Sequence, residues 1–114
     1  MSLEALTARA NALRDARDWR QFHTPKDMMV SLCLEAAEVL EHTQWRNGEE
    51  LAAHLAAKRD EVGGELADVL YWTLLIAHDL GIDLESAFER KMALNEERYP
   101  VEKARGNATK YDKL

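Results

Sequence analysis

The sequence predicts an all-α fold, and three observations carry that expectation. Apolar residues recur at helical spacing, beginning with Leu3, Leu6, Ala10 and Leu13, and no stretch alternates polar and apolar residues with the period of a strand. Helix punctuation recurs too: Ser2, Thr24-Pro25 and Asp83 are starting residues, whereas Asn47-Gly48, Gly81 and Pro100 are stops. The connections between these marks are short, which favours an antiparallel bundle of four helices.

Ser2 caps a first helix running to about Arg17, with Arg9, Arg14, Arg17 and Arg20 supplying its charge. Trp19, Phe22 and His23 follow in a connection that ends at Thr24-Pro25. There Thr takes the cap and Pro the first helical position, where its missing N–H costs nothing. The second helix runs from Pro25 to about Trp45 and is broken by Asn47-Gly48. A third helical region spans about Glu49 to Leu80, and its Ala-rich first part, through Ala57, is readable as a separate short helix. Gly63-Gly64 interrupts this region at about 1 kcal/mol per glycine relative to alanine. It predicts either a local kink or a close approach by another helix or a ligand. Gly81 suits a left-handed C-terminal residue. Asp83 caps a fourth helix from Leu84 to about Tyr99, stopped by Pro100, and the basic tail from about residue 101 reads as irregular.

A chain of 114 residues predicts a single domain, residues 1–114, with a small core that oligomerisation would help. The net charge of −6 argues against a nucleic-acid polymer or a membrane surface as partner. The charge is unevenly placed. Residues 27–89 carry fourteen acidic groups against three basic, whereas the segments on either side are net basic. An acidic middle between basic ends suits a ligand that is both metal-bound and anionic. The single cysteine, Cys33, lies in an apolar helical run and reads as a buried, inert thiol in a reducing compartment. No N-terminal apolar segment of the signal-peptide kind is visible, and no stretch approaches the roughly 18 apolar residues needed to span a bilayer, so the cytoplasm is the expected location.

The chemistry concentrates in Glu35-Ala-Ala-Glu38 on the second helix and Glu65-Leu-Ala-Asp68 on the third, with Glu41 and Glu61 extending the two stripes. Residues three apart share a helix face, so each stretch sets two carboxylates side by side. Taken singly, such a pair usually does no more than face water. Here both are embedded in apolar sequence, and no Lys or Arg occurs between Lys26 and Arg46 or between Arg59 and Arg90. Buried carboxylates need a partner or a metal. Mg²⁺, with Mn²⁺ as an alternative, is the hard cation that such oxygens bind. Trp19, Phe22, His23, Trp45 and Trp72 lie near the same helices; Trp72 follows Asp68 by one turn and could hold a flat base, although aromatics at helical spacing more often belong to a core. Lys91, Arg98, Lys103, Arg105 and Lys110 cluster where the fourth helix ends, and could meet phosphate oxygens or simply face solvent.

These segments resemble the all-α nucleoside triphosphate pyrophosphatases of the MazG-like superfamily, and most of all the dCTP pyrophosphatase branch. The resemblance runs through Arg17 to Pro25, Glu35-Ala-Ala-Glu38, Gln44-Trp45, Glu65-Leu-Ala-Asp-Val-Leu70, Lys91-Met92, Asn95, Arg98-Tyr-Pro100 and Lys110-Tyr111. It implies a four-helix MazG-like bundle that assembles as a homotetramer with sites built across subunits. It implies Mg²⁺ at Glu35, Glu38, Glu65 and Asp68, and hydrolysis of a nucleoside triphosphate between its α and β phosphates. It further implies base and sugar contacts from Trp19, Phe22, His23, Trp45 and Trp72, and phosphate contacts from Lys91, Asn95, Arg98, Lys110 and Tyr111. Gly64, Trp72 and Ala10 depart from residues common in the family, and these departures bear on base preference more than on the reaction.

Two other readings compete. A di-iron carboxylate bundle needs Glu-x-x-His motifs, and no Glu here has a His three residues later. A non-catalytic acidic helical assembly module needs only the apolar helix faces, and would not respond to Mg²⁺.

Overall fold

The computed structural model describes residues 1–114, which fold as two compact units, Met1–Gly81 and Ile82–Leu114. There are no strands. The first unit holds α1 (Leu3–Ala16), a 3₁₀ turn (Arg20–Phe22), α2 (Pro25–Glu41), α3 (Gly48–Ala57) and α4 (Arg59–Asp79). The second holds α5 (Leu84–Arg98), the four-residue α6 (Val101–Ala104) and a 3₁₀ turn (Tyr111–Lys113). Six α-helices thus replace the expected four. The Ala-rich segment is a helix of its own, and the tail, expected to be irregular, carries two short helical turns.

The starts fall where side-chain oxygens can accept the orphan N–H groups of a first turn. Ser2 accepts from the Ala5 N–H, Thr24 from the Asp27 N–H and Asp83 from the Ser86 N–H, each at 3.1 Å. The expected left-handed ending occurs at Gly81, with φ of +67°. Helix α2 ends at Glu41, short of Trp45, and continues as turns to the Asn47-Gly48 break. Gly63-Gly64 does not break α4 and admits no close neighbour: the helix runs through both, and a Cβ at either would meet nothing within 4 Å.

In the first unit α2 and α1 both pack on α4. Their meeting point is a thin core of Met28, Leu75 and Ala10, backed by Tyr71, Trp72 and Ile76. Arg14, one of the four arginines that supply the charge of this segment, is completely buried there, at 0% exposed. Its guanidinium forks onto Asp79, with Nη1 donating to Oδ2 at 2.8 Å and Nη2 to Oδ1 at 2.5 Å, tying α1 to the end of α4. Little else is covered. Met29, Val30, Leu34 and Leu40 on α2, and Leu66 and Leu70 on α4, are exposed. Cys33 corrects the expectation of a buried thiol: it is exposed along the same apolar side of α2.

Candidate functional site

The packing of α2 along α4 decides which acids meet. Glu35 feels the negative charge of Glu38 on its own helix and of Asp68 and Glu65 across the gap. Burial, then the neighbouring Glu38 carboxyl, then the charges of Asp68 and Glu65 hold the Glu35 carboxyl above the usual glutamate range. Its Oε2 is buried with no hydrogen-bond partner. A buried carboxylate oxygen without a donor is costly, and a cation would satisfy it. The four acids therefore fit a divalent metal in charge and donor chemistry. They do not, however, form a closed cage of three or more ligands around a common point. The expectation of deeply buried acids is corrected: Glu35 and Glu65 are partly buried, whereas Glu38 and Asp68 lie at the surface. Glu41 and Glu61 are exposed.

Beside the acids lies a cavity of about 700 Å³, lined by Glu35, Asp68 and Ala67 at one side and by Trp19, Phe22, His23, Leu13, Tyr71 and Trp72 around it. Trp72 meets His23 edge-on at 5.1 Å and Tyr71 edge-on at 5.2 Å. His23 is fixed by Arg14, whose Nη1 lies 3.3 Å from the ring Nδ1. A guanidinium can only donate, so Nδ1 accepts and the ring proton of the neutral imidazole sits on Nε2. Burial first, and then the Arg14 charge, push the His23 pKa down, which keeps the ring neutral.

Sequence reasoning missed Tyr71, Leu13 and His42. The Tyr71 hydroxyl is buried without a partner, and its pKa is raised by that burial. It follows Asp68 by three residues, a same-face spacing that could have marked it. His42 donates to Glu65; it follows Glu38 by four residues, the same kind of signal.

One expected site residue of the same unit stands apart from this cavity. Trp45 does not line it; it is 89% exposed, with a backbone φ of +65°. A bulky residue in the left-handed region stores on the order of 1–3 kcal/mol, and such strain clusters at functional sites. Lys91, Asn95, Arg98, Lys110 and Tyr111 belong to the second unit. There the Arg98 guanidinium sits 4.4 Å above the Tyr111 ring, and Tyr99 meets the same ring edge-on at 6.1 Å. Lys91 and Lys110 are exposed, and Asn95 is partly buried.

Paired carboxylates from two packed helices, opening on an aromatic cavity in an all-α scaffold, define a class that comparison with known proteins identifies. The MazG-like family matches residues 30–114, most of the chain, and the chain belongs to that family. It is 37% identical over 100 residues to dCTP pyrophosphatase 1 of Bos taurus and 35% identical to that of Homo sapiens, in each case over 86% of this chain and 59% of the relative. The chain thus spans about three-fifths of the length of these curated relatives. A crystal structure of a pyrophosphatase from Archaeoglobus fulgidus superposes with a TM-score of 0.80 and 39% identity, over 85% of this chain and 91% of that one.

Proposed function

We propose that the protein is a nucleoside triphosphate pyrophosphohydrolase, cleaving between the α and β phosphates to release a nucleoside monophosphate and pyrophosphate. dCTP or a modified dCTP is the proposed substrate, and removal of unwanted nucleotides from the pool the proposed role. The observation that carries this reading is Glu35, with a buried, unpartnered oxygen among three further carboxylates beside an aromatic cavity. The names of the similar proteins support it. Glu35, Glu38, Glu65 and Asp68 would hold Mg²⁺, or Mn²⁺ in its stead. When bound, that metal supplies Lewis acidity toward phosphoryl oxygens and acidifies a bound water. The chain's own residues do the rest. Trp19, Phe22, His23 and Trp72 enclose the base, and the His23 Nε2–H is a donor for an acceptor on the base or sugar. Lys91, Arg98 and Lys110, with Asn95 and Tyr111, neutralise and orient the phosphate tail. The test is a screen of nucleoside triphosphates with Mg²⁺, scored for pyrophosphate against orthophosphate. Orthophosphate as the product would overturn the reaction proposed.

Residues 1–114 act in this reading as one functional domain, since the family match runs through both compact units. No helix is long and apolar enough to cross a membrane, and we assign the protein to the cytoplasm. The exposed apolar side chains of α2 and α4 support a homotetramer, because a monomer would leave that surface wet. Light scattering at micromolar concentration is expected to give a tetramer mass; a monomer mass would refute the assembly. Trp45, exposed and strained, is then the residue one copy lends to its neighbour's cavity. The exposed apolar faces alone would also suit a non-catalytic assembly module. Mg²⁺ is expected to raise the melting temperature of the enzyme but not of such a module.

Base selection follows from the rings. Stacking on an aromatic side chain is worth about 1–3 kcal/mol per base, so Trp72→Ala or Trp45→Ala should lower kcat/KM for dCTP roughly ten- to a hundred-fold. The loss should be smaller for ATP and GTP, because the rings meet the base whereas the carboxylates meet only phosphate and metal. Equal losses for all triphosphates, measured by steady-state kinetics, would remove the base from this cavity.

A further inference from the structure

One of the four acids is held by a histidine that lies outside both carboxylate motifs. His42, just past the end of α2, brings Nε2 to 2.5 Å from Glu65 Oε2 on α4. The other ring nitrogen, Nδ1, lies 2.9 Å from Nε2 of His54 on α3. Side chains from three consecutive helical segments thus form one hydrogen-bonded line, and its central contact is shielded: His42 is 11% exposed and Glu65 26%. Donor count sets its direction. An ionised carboxylate only accepts, so the His42 Nε2 carries the proton at the contact with Glu65. Donation at the central contact runs from His42 to Glu65, and His54 meets the other ring nitrogen.

We propose that His42 is a positioning residue for metal ligation at Glu65. By engaging Oε2 it holds the carboxylate in one orientation and leaves Oε1 as the ligating oxygen, while His54 steadies the His42 ring from its other nitrogen. Carboxylates that ligate metals are themselves commonly hydrogen-bonded, and loss of such an outer partner typically costs about 10–100-fold in metal affinity or activity. A glutamate released from His42 would regain its side-chain rotamers and have to give them up again on binding the cation. The proposal rests on the metal reading of the four acids given above.

The test uses the full chain and Mn²⁺ alone, with free Mn²⁺ followed by electron paramagnetic resonance in the absence of nucleotide. His42→Leu is expected to weaken Mn²⁺ binding by about 10–100-fold and to raise the metal concentration for half-maximal activity in parallel, with kcat at saturating metal restored. His42→Gln, whose amide can still donate to Glu65, should recover most of the affinity. Unchanged Mn²⁺ affinity in His42→Leu would overturn the proposal, as would equal losses in both variants. Long-range ¹⁵N–¹H correlation on the unmodified protein reads the tautomer directly: a proton on Nε2 is expected, and one on Nδ1 alone would overturn it. Glu38→Gln separates this inference from the reading beneath it. If Glu38→Gln loses Mn²⁺ while His42→Leu does not, only the role of His42 fails; if neither loses it, the carboxylate site fails as well.

Discussion

Glu38→Gln and Asp68→Asn are each expected to abolish pyrophosphate release while leaving the helices intact. Each keeps the shape of the side chain and removes one negative ligand. Lewis-acid stabilisation of developing phosphoryl charge is worth several kcal/mol, so the loss should be about a thousand-fold or more in kcat. Circular dichroism should report an unchanged helical spectrum. The same substitutions should raise the melting temperature of the metal-free protein, because Glu35 is partly buried among like charges. The pH dependence has a definite sign. The Glu35 pKa in the fold lies above its ordinary value of 4.5, so ionisation opposes folding. The metal-free protein should therefore lose stability as pH rises from 4.5 through the higher value that Glu35 has in the fold, and Mg²⁺ should restore it. A substituted enzyme with near-parental activity would refute the role of these acids.

Asp79→Asn is expected to destabilise the fold strongly although it lies outside the carboxylate site. It leaves the Arg14 guanidinium, 0% exposed, without its counter-charge. Breaking a buried pair from one side costs 3–5 kcal/mol; because the Asp79 side chain keeps 17% of its exposure, the lower end applies, about 3 kcal/mol. At roughly 4 °C or more per kcal/mol in a domain this small, the melting temperature should fall by about 10 °C or more. The pair also has a pH signature. The hydrogen bond from Arg14, with smaller help from His78 and the Arg14 charge, holds the Asp79 carboxyl well below its ordinary value of 3.8. Its stabilisation is therefore complete above that ordinary value and is lost as pH falls through the lower folded one. Asp79→Asn should lack this component of acid unfolding. Replacing both partners by apolar residues of similar volume should cost less than either single change, because no unpaired charge is left inside. Thermal melts of the three variants across pH decide the matter, and a melting temperature unchanged by Asp79→Asn would refute the argument. Since Arg14 also fixes His23, Arg14→Leu should further weaken discrimination among bases.

Local signals were legible wherever the physics is local. Ser2, Thr24-Pro25, Asp83 and Gly81 marked helix ends because capping and left-handed turns depend on side chains within a few residues. Likewise the two carboxylate pairs could be read from spacing, since a helix sets residues three apart on one face. The fate of Gly63-Gly64 was not legible. Propensity gives only the cost of a glycine, and the remainder of α4 carries the helix through both.

What the sequence by itself determined is the all-α class, the pairing of acids within each helix and the shortage of cations around them. The tertiary structure alone decided that Glu35 is the acid left with an unpartnered oxygen, because that depends on how α2 lies on α4. It alone turned Arg14 inward onto Asp79, 65 positions away along the chain. It also brought His42, His54 and Glu65 into one hydrogen-bonded line. Helical periodicity ranks residues within one element by face. Which polar atom finds a partner across elements is set by packing between helices, and no spacing along the chain encodes it.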